Sequence, residues 1–179
     1  MKNTILLLAF TVSTIAFAQT KIVTKNGQIT FEASVPSFEE VKAKNVGVSC
    51  VFNTNTGEIA SLALMKGFRF KVALMEEHFN ESYVESDKYP KAVFKGRVEN
   101  FDFSKVEKTA KEYIIRGKLE LHGKTKDIAI TAKIRTTAEG MELISNFSIN
   151  VADFGIEIPK VVSSKVSKKV NIKLDFLLK

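Results

Sequence analysis

Residues equipped for chemistry are scarce in this chain. Histidine occurs twice, at His78 and His122, and cysteine once, at Cys50. His78 follows Glu76 and Glu77, but adjacent helical residues point in different directions. Neither histidine has a Cys or His nearby at metal-ligand spacing, so no metal site is expected. No Gly-x-Ser-x-Gly turn presents a nucleophile. The nine glycines are scattered, mostly at turns, and form no phosphate-binding loop. Cys50 lies mid-strand on an apolar face, where poor access and a raised pKa would leave its thiol inert. His122, in Leu121-His122-Gly123-Lys124-Thr125, is expected to shape a hairpin turn. These residues point away from an enzyme, and no cofactor is expected.

The elements around them alternate with period two, the signature of half-buried strands. Ile29, Phe31, Ala33 and Val35 share one face, as do Val46, Val48, Cys50 and Phe52. The same alternation runs through Ile115–Leu121, Ile128–Ile134, Met141–Val151 and Val170–Leu178. Asn26-Gly27, Asn55-Thr56-Gly57, His122-Gly123 and Glu139-Gly140 read as turns between them. With Glu58–Lys66 and Ala92–Phe103 the count reaches about eight strands, several longer than the usual ~5–6 residues. Long strands joined in series favour an all-β, lipocalin-like up-and-down antiparallel barrel, because closure removes exposed edges. A two-sheet sandwich is the alternative. Between Val72 and Glu81 the apolar residues Val72, Leu74, Met75 and Phe79 recur at helical spacing, which predicts one short helix.

The length of 179 residues suits one domain after a leader. Lys2 and the apolar Ile5–Ala16, followed by Ala16-Phe17-Ala18, read as a signal peptide over 1–18 cleaved near Ala18. The domain would then span 19–179, in the periplasm or outside the cell. Composition is ordinary for a globular protein, with 45% hydrophobic and 26% charged residues. That excludes a disordered tail and a polytopic helical membrane protein. A lone cysteine excludes an internal disulfide. The net charge of +7 includes Lys160, Lys165, Lys168 and Lys169 in a stretch without acids. That stretch is either a solvated loop or a contact for anionic lipid headgroups or an acidic partner. Aromatic interleaving of the kind nucleic-acid binders use is missing, so no nucleic-acid partner is expected.

Fourteen Phe, three Tyr and no Trp offer large apolar volume with few hydrogen-bonding handles. The missing Trp and scarce Tyr argue against an outer-membrane barrel, whose interfaces carry such girdles. The apolar faces should therefore point inward. Small barrels either fill that space with side chains or hold one small ligand. Small inward residues such as Ala33, Gly96, Gly117 and Ala132 are compatible with both outcomes.

Three segments resemble the YceI-like family of periplasmic proteins. They are Glu77-His78-Phe79-Asn80, the run from Glu85 through Tyr89-Pro90 to Gly96, and Gly117 through His122-Gly123-Lys124-Thr125-Lys126. Asp153-Phe154-Gly155-Ile156 through Pro159 also fits the pattern. Gly27-Gln28-Ile29 departs from it, standing where many members carry a Trp-bearing strand. The resemblance implies a lipocalin-like barrel whose tunnel holds a polyisoprenoid lipid, such as an isoprenoid-quinone tail. The expected function is that of an exported soluble carrier for such a chain. The expected lining is Phe31, Val48, Cys50, Phe52, Phe68, Phe70, Leu74, Met75, Phe79, Phe94, Leu119, Phe147 and Ile149. His78 would anchor the helix or a headgroup. The alternative is a filled barrel that docks through its Lys160–Lys169 loop. The partners considered are an apolar lipid, a transient membrane-surface contact and a homodimer.

Overall fold

A computed structural model describes residues 20–179. The expected leader lies outside them. Nine strands form one antiparallel sheet: β1 Lys21–Ser34, β2 Lys42–Asn53, β3 Glu58–Leu64, β4 Arg69–Phe70, β5 Lys91–Val98, β6 Lys111–Leu121, β7 Lys124–Thr136, β8 Met141–Asn150 and β9 Val166–Leu178. The order is β1-β9-β8-β7-β6-β5-β3-β2-β4, and pairing of β1 with β2 closes the sheet into a barrel. Strand β4 has two residues and continues the line of β3 along β2, after a tight turn at Met65–Gly67. The circuit is therefore eight-stranded, as the alternation predicts. One short helix, α1 (Ala73–His78), interrupts it.

Alternation misleads at two places, and a backbone irregularity explains each. Strand β1 runs through Asn26-Gly27 instead of turning there. Gly27 serves close approach: the Phe176 ring lies across it, so that a Cβ would stand 2.6 Å from a ring carbon. On β2, Gly27 pairs with Val48 and Ile29 with Asn45, so three steps on β2 oppose two on β1. This bulge inverts the side-chain phase. Val46 consequently points outward at 57% exposure, whereas Asn45 is buried. The Asn45 Nδ2 donates to the Leu64 carbonyl at 3.0 Å, and its Oδ1 accepts from the Gly47 N–H at 2.9 Å. One buried amide thus holds the β2 bulge against the break between β3 and β4.

The two ends of the barrel differ. The end carrying the β2–β3, β5–β6 and β7–β8 connections is filled, with Phe52, Val98, Ile134, Met141 and Leu178 almost fully buried. The opposite end carries the β1–β2 loop, α1, the β6–β7 turn and the β8–β9 loop. Between the ends, Gly96 of β5 faces Gly117 of β6. Phe94 lies over this pair, and a Cβ on Gly117 would stand 2.4 Å from the Lys95 carbonyl and 2.8 Å from the Phe94 ring. The paired glycines let a phenyl ring lie flat on the inner wall.

Gly117→Val should therefore force β5 and β6 apart or expel the Phe94 ring, lowering stability by about 1–3 kcal/mol. Urea unfolding should show this as a lower midpoint at an unchanged slope. An unchanged midpoint would mean that the ring does not need the glycine pair.

Candidate functional site

Several inward residues keep accessible surface, although they point at the barrel axis. Phe31, Phe94, Leu121, Ile128, Phe147, Ile149 and Leu174 are only partly buried while packing against the core. The surface they retain lines a hollow. Its volume is about 490 Å³, within the usual ~300–1,000 Å³ of small-molecule sites. The floor is made by Ile59, Ile115, Leu143 and Phe176, and the walls rise past Leu119, Ile130, Phe147 and Ile149. Along β8, Leu143 to Ile149 corresponds to roughly 20 Å of strand at ~3.4 Å per residue.

The upper wall is closed by aromatic packing. The Phe31 ring lies 5.3 Å from Phe68, 5.7 Å from Phe70 and 5.3 Å from Phe79, centroid to centroid. Phe79 also meets Phe68 and Phe70. Edge and offset contacts at these separations suit the ring quadrupole. They pin α1 to β1 and β4. Glu76 adds a polar latch, accepting from Arg69 at 2.7 Å and from the Phe70 N–H at 3.1 Å. After His78 the chain continues in a wider turn, with the Val84 N–H donating to the Phe79 carbonyl five residues back. This turn places Tyr83 and Val84 on the cavity wall.

The expected lining divides. Phe31, Phe68, Phe70, Met75, Phe79, Phe94, Leu119, Phe147 and Ile149 border the hollow, and His78 stands exposed on its rim. Val48, Cys50 and Phe52 do not border it; they are 0–1% exposed in the part of the barrel that side chains fill. Leu74 is 57% exposed, because α1 turns Met75 and Phe79 inward and leaves Leu74 on its outer face. Ile128, Ile172 and Leu174 were missed, though the same alternation marks them. Ile156, Ile158 and Val162 were missed too. They come from the β8–β9 loop, where no periodicity marks an inward side chain.

Polar groups bordering the hollow are few. Ser61 is on the wall, while Glu39, His78, Tyr83, Lys165 and Ser167 come from the loop end or the strand start beside it. Among the described residues, no group of three or more His, Cys, Asp or Glu is placed to hold a metal. Such a site can exclude water and accept an apolar body; it offers no paired acid and base.

The motif residues meet at the loop end. His122 and Gly123 both have positive φ, 51° and 70°, which makes the tight β6–β7 turn. The His122 Nε2 lies 2.8 Å from a Glu85 carboxylate oxygen, and its Nδ1 lies 3.2 Å from the Phe154 carbonyl. The Tyr89 ring packs on His122 at 4.4 Å, and a Cβ on Gly123 would stand 2.6 Å from it. Segments far apart in sequence are thereby tied into one knot beside the hollow. Its role is to hold loops.

A family model described as YceI-like domain matches residues 8–178, nearly the whole chain. A polyisoprenoid binding domain from Saccharophagus degradans, implicated in plant cell wall breakdown, superposes with a TM-score of 0.75 at 14% identity, covering 89% of this chain and 98% of its own. BcnA of Burkholderia cenocepacia gives 0.70 at 14% identity, covering 86% and 96%. A YceI protein of Campylobacter jejuni gives 0.61 at 19% identity, covering 81% and 89%. At these identities the likeness is one of fold. No curated protein matches the chain.

Burial in the filled end raises the Cys50 thiol from an ordinary 9.0 to about 12. The folded protein then keeps the proton where the unfolded chain gives it up. This thiol's stabilising effect is complete below about pH 9 and declines as pH rises toward 12. At pH 8 a thiol reagent should modify Cys50 only as fast as the barrel unfolds, and at once in denaturant. Rapid labelling of the native protein would contradict the placement of Cys50 in the filled end.

Proposed function

We propose, from the premise that the chain belongs to the YceI-like family, that it is a carrier for one long apolar chain of polyisoprenoid or isoprenoid-quinone type. The observation that carries this reading is the hollow itself: an apolar lumen, floored at one end and reached from the loop end. The expected leader over 1–18 supports export, and with it a working place in the periplasm. The Saccharophagus neighbour is described as polyisoprenoid binding, and the same ligand class suits a lumen with one hydroxyl on its deeper wall. A polar headgroup would rest at the rim, within reach of His78, Tyr83 or Lys165.

Magnitudes favour long chains over short ones. Burying a CH₂ group contributes ~0.8 kcal/mol, so a five-carbon prenyl unit contributes about 4 kcal/mol. Association itself costs at least ~4 kcal/mol. One unit therefore roughly breaks even, and several units give useful affinity. Release then requires an acceptor as apolar as the lumen. The alternative of a filled barrel acting as an interaction module is disfavoured by the hollow.

Native mass spectrometry after gentle purification should find a co-purifying apolar lipid on the protein. In Ile172→Trp the added ring should occupy the lumen between Phe31 and Phe147, which flank Ile172 on β1 and β8. That variant should remain folded and lose the adduct. Repeated absence of lipid from the unmodified protein, or an equal adduct on Ile172→Trp, would defeat the reading.

A further inference from the structure

The loop end carries a surface that the lumen does not need. In the β8–β9 loop, Ile158 and Val162 face the hollow while Val161, between Lys160 and Val162, is 84% exposed. Across the rim, Phe38 of the β1–β2 loop borders the hollow and is still 46% exposed. The two loops are neighbours, because Ser34 at the end of β1 pairs with Val166 at the start of β9. Directly after that pair, β9 bulges: five steps from Val166 to Asn171 oppose two on β1. The bulge leaves Lys168 and Lys169 exposed beside Lys160 and Lys165.

These four lysines differ from most cations around them. Lys66, Arg69 and Lys71 at the same end engage Asp87, Glu76 and Glu40. Among the described residues, Lys160, Lys165, Lys168 and Lys169 form no ion pair with a carboxylate. Glu39 borders the hollow, Glu157 precedes the loop, and Glu32 pairs opposite Asn171; Glu77 and Glu81 belong to the α1 side. Among the described residues, Lys44, Lys91, Lys124 and Lys126 at this end also form no ion pair, but Lys160, Lys165, Lys168 and Lys169 are the four that cluster in one loop and strand start, next to two protruding apolar side chains.

We infer that this rim, Phe38 and Val161 with Lys160, Lys165, Lys168 and Lys169, is a docking surface for an anionic lipid bilayer. Basic side chains around exposed apolar ones are the combination that seats a protein at a headgroup boundary, the cations drawn to anionic lipid and the apolar tips entering the acyl edge. The position adds a second reason. A long apolar chain passing between lumen and membrane stays out of water only if the opening meets the bilayer, and Lys165 and Phe38 border that opening. The inference deepens the carrier reading, on which it rests, by naming the surface that delivers and receives the chain.

Co-sedimentation with vesicles tests it. The protein should pellet with vesicles of phosphatidylcholine and phosphatidylglycerol in about equal parts at low salt, and not with phosphatidylcholine alone. Binding should fall away in about 1 M salt, where the Debye length shrinks to ~3 Å. Each lysine contributes roughly a five-fold factor, so K160E/K168E/K169E, which leaves Lys165 on the rim of the hollow untouched, should weaken binding by ~100-fold or more. Val161→Ser should weaken it with no change of charge. Native mass spectrometry on the triple variant should still find the bound chain. Equal sedimentation with both vesicle types, or unchanged binding by both variants, would overturn the inference. Retention on polyglutamate without vesicle binding would also overturn it, assigning the patch to an acidic protein. Vesicle binding by unmodified protein that carries no chain would uphold the docking surface while removing the carrier reading.

Discussion

Pairing of β1 with β2 on one side and β9 on the other sets the circumference of the molecule, and its other properties depend on that closure. An open sheet of these strands would lay its apolar face on whatever lay nearest and bury it completely. A closed one fixes the distance between opposite walls, so that inward side chains must be large enough to meet across the axis or leave space between them. At the filled end Phe52, Phe176, Met141 and Leu178 meet. Above the level of Phe176, Leu143 and Ile115 they do not, and apolar residues face an emptiness that water gains little by entering. The hollow follows from geometry imposed on an ordinary hydrophobic inventory.

The asymmetry between the ends then assigns roles to the loops. The β2–β3 and β7–β8 connections are short, while the β5–β6 connection packs Phe101 against Phe52 and buries Val106 at the filled end. The β4–β5 and β8–β9 connections lie at the other end, where α1 is laid against the wall by Phe31, Phe68, Phe70 and Phe79. There the Glu85–His122–Phe154 knot holds three loops in mutual register. The motifs that carry the family resemblance are therefore explained by construction. Tyr89, His122 and Gly123 touch one another, and none of them stands on the cavity wall.

Much of this is legible in the residues alone, for identifiable reasons. Period-two alternation locates the strands because a pleated ribbon with one dry face has no other economical pattern. It fails at Val46 because a bulge shifts phase without leaving a mark in the composition. Asn26-Gly27 imitates a turn because a glycine that admits a ring and a glycine that admits a bend look alike in one dimension. Val48, Cys50 and Phe52 share a face with true lining residues, and only the position of the floor along the axis separates them. That position depends on how large rings from different strands stack, which is a three-dimensional property. Ile156 and Ile158 lie in a loop without periodicity, so nothing local marks them as inward.

The central claim is that the inner walls enclose a dry space once any bound chain is removed, and xenon reports such a space most directly, since empty apolar cavities take it up. A crystal of delipidated protein under xenon pressure should show gas atoms in the lumen, bounded by Phe31, Phe94, Phe147 and Phe176. A lumen without xenon, its walls collapsed onto one another or its axis threaded by ordered water, would contradict the account.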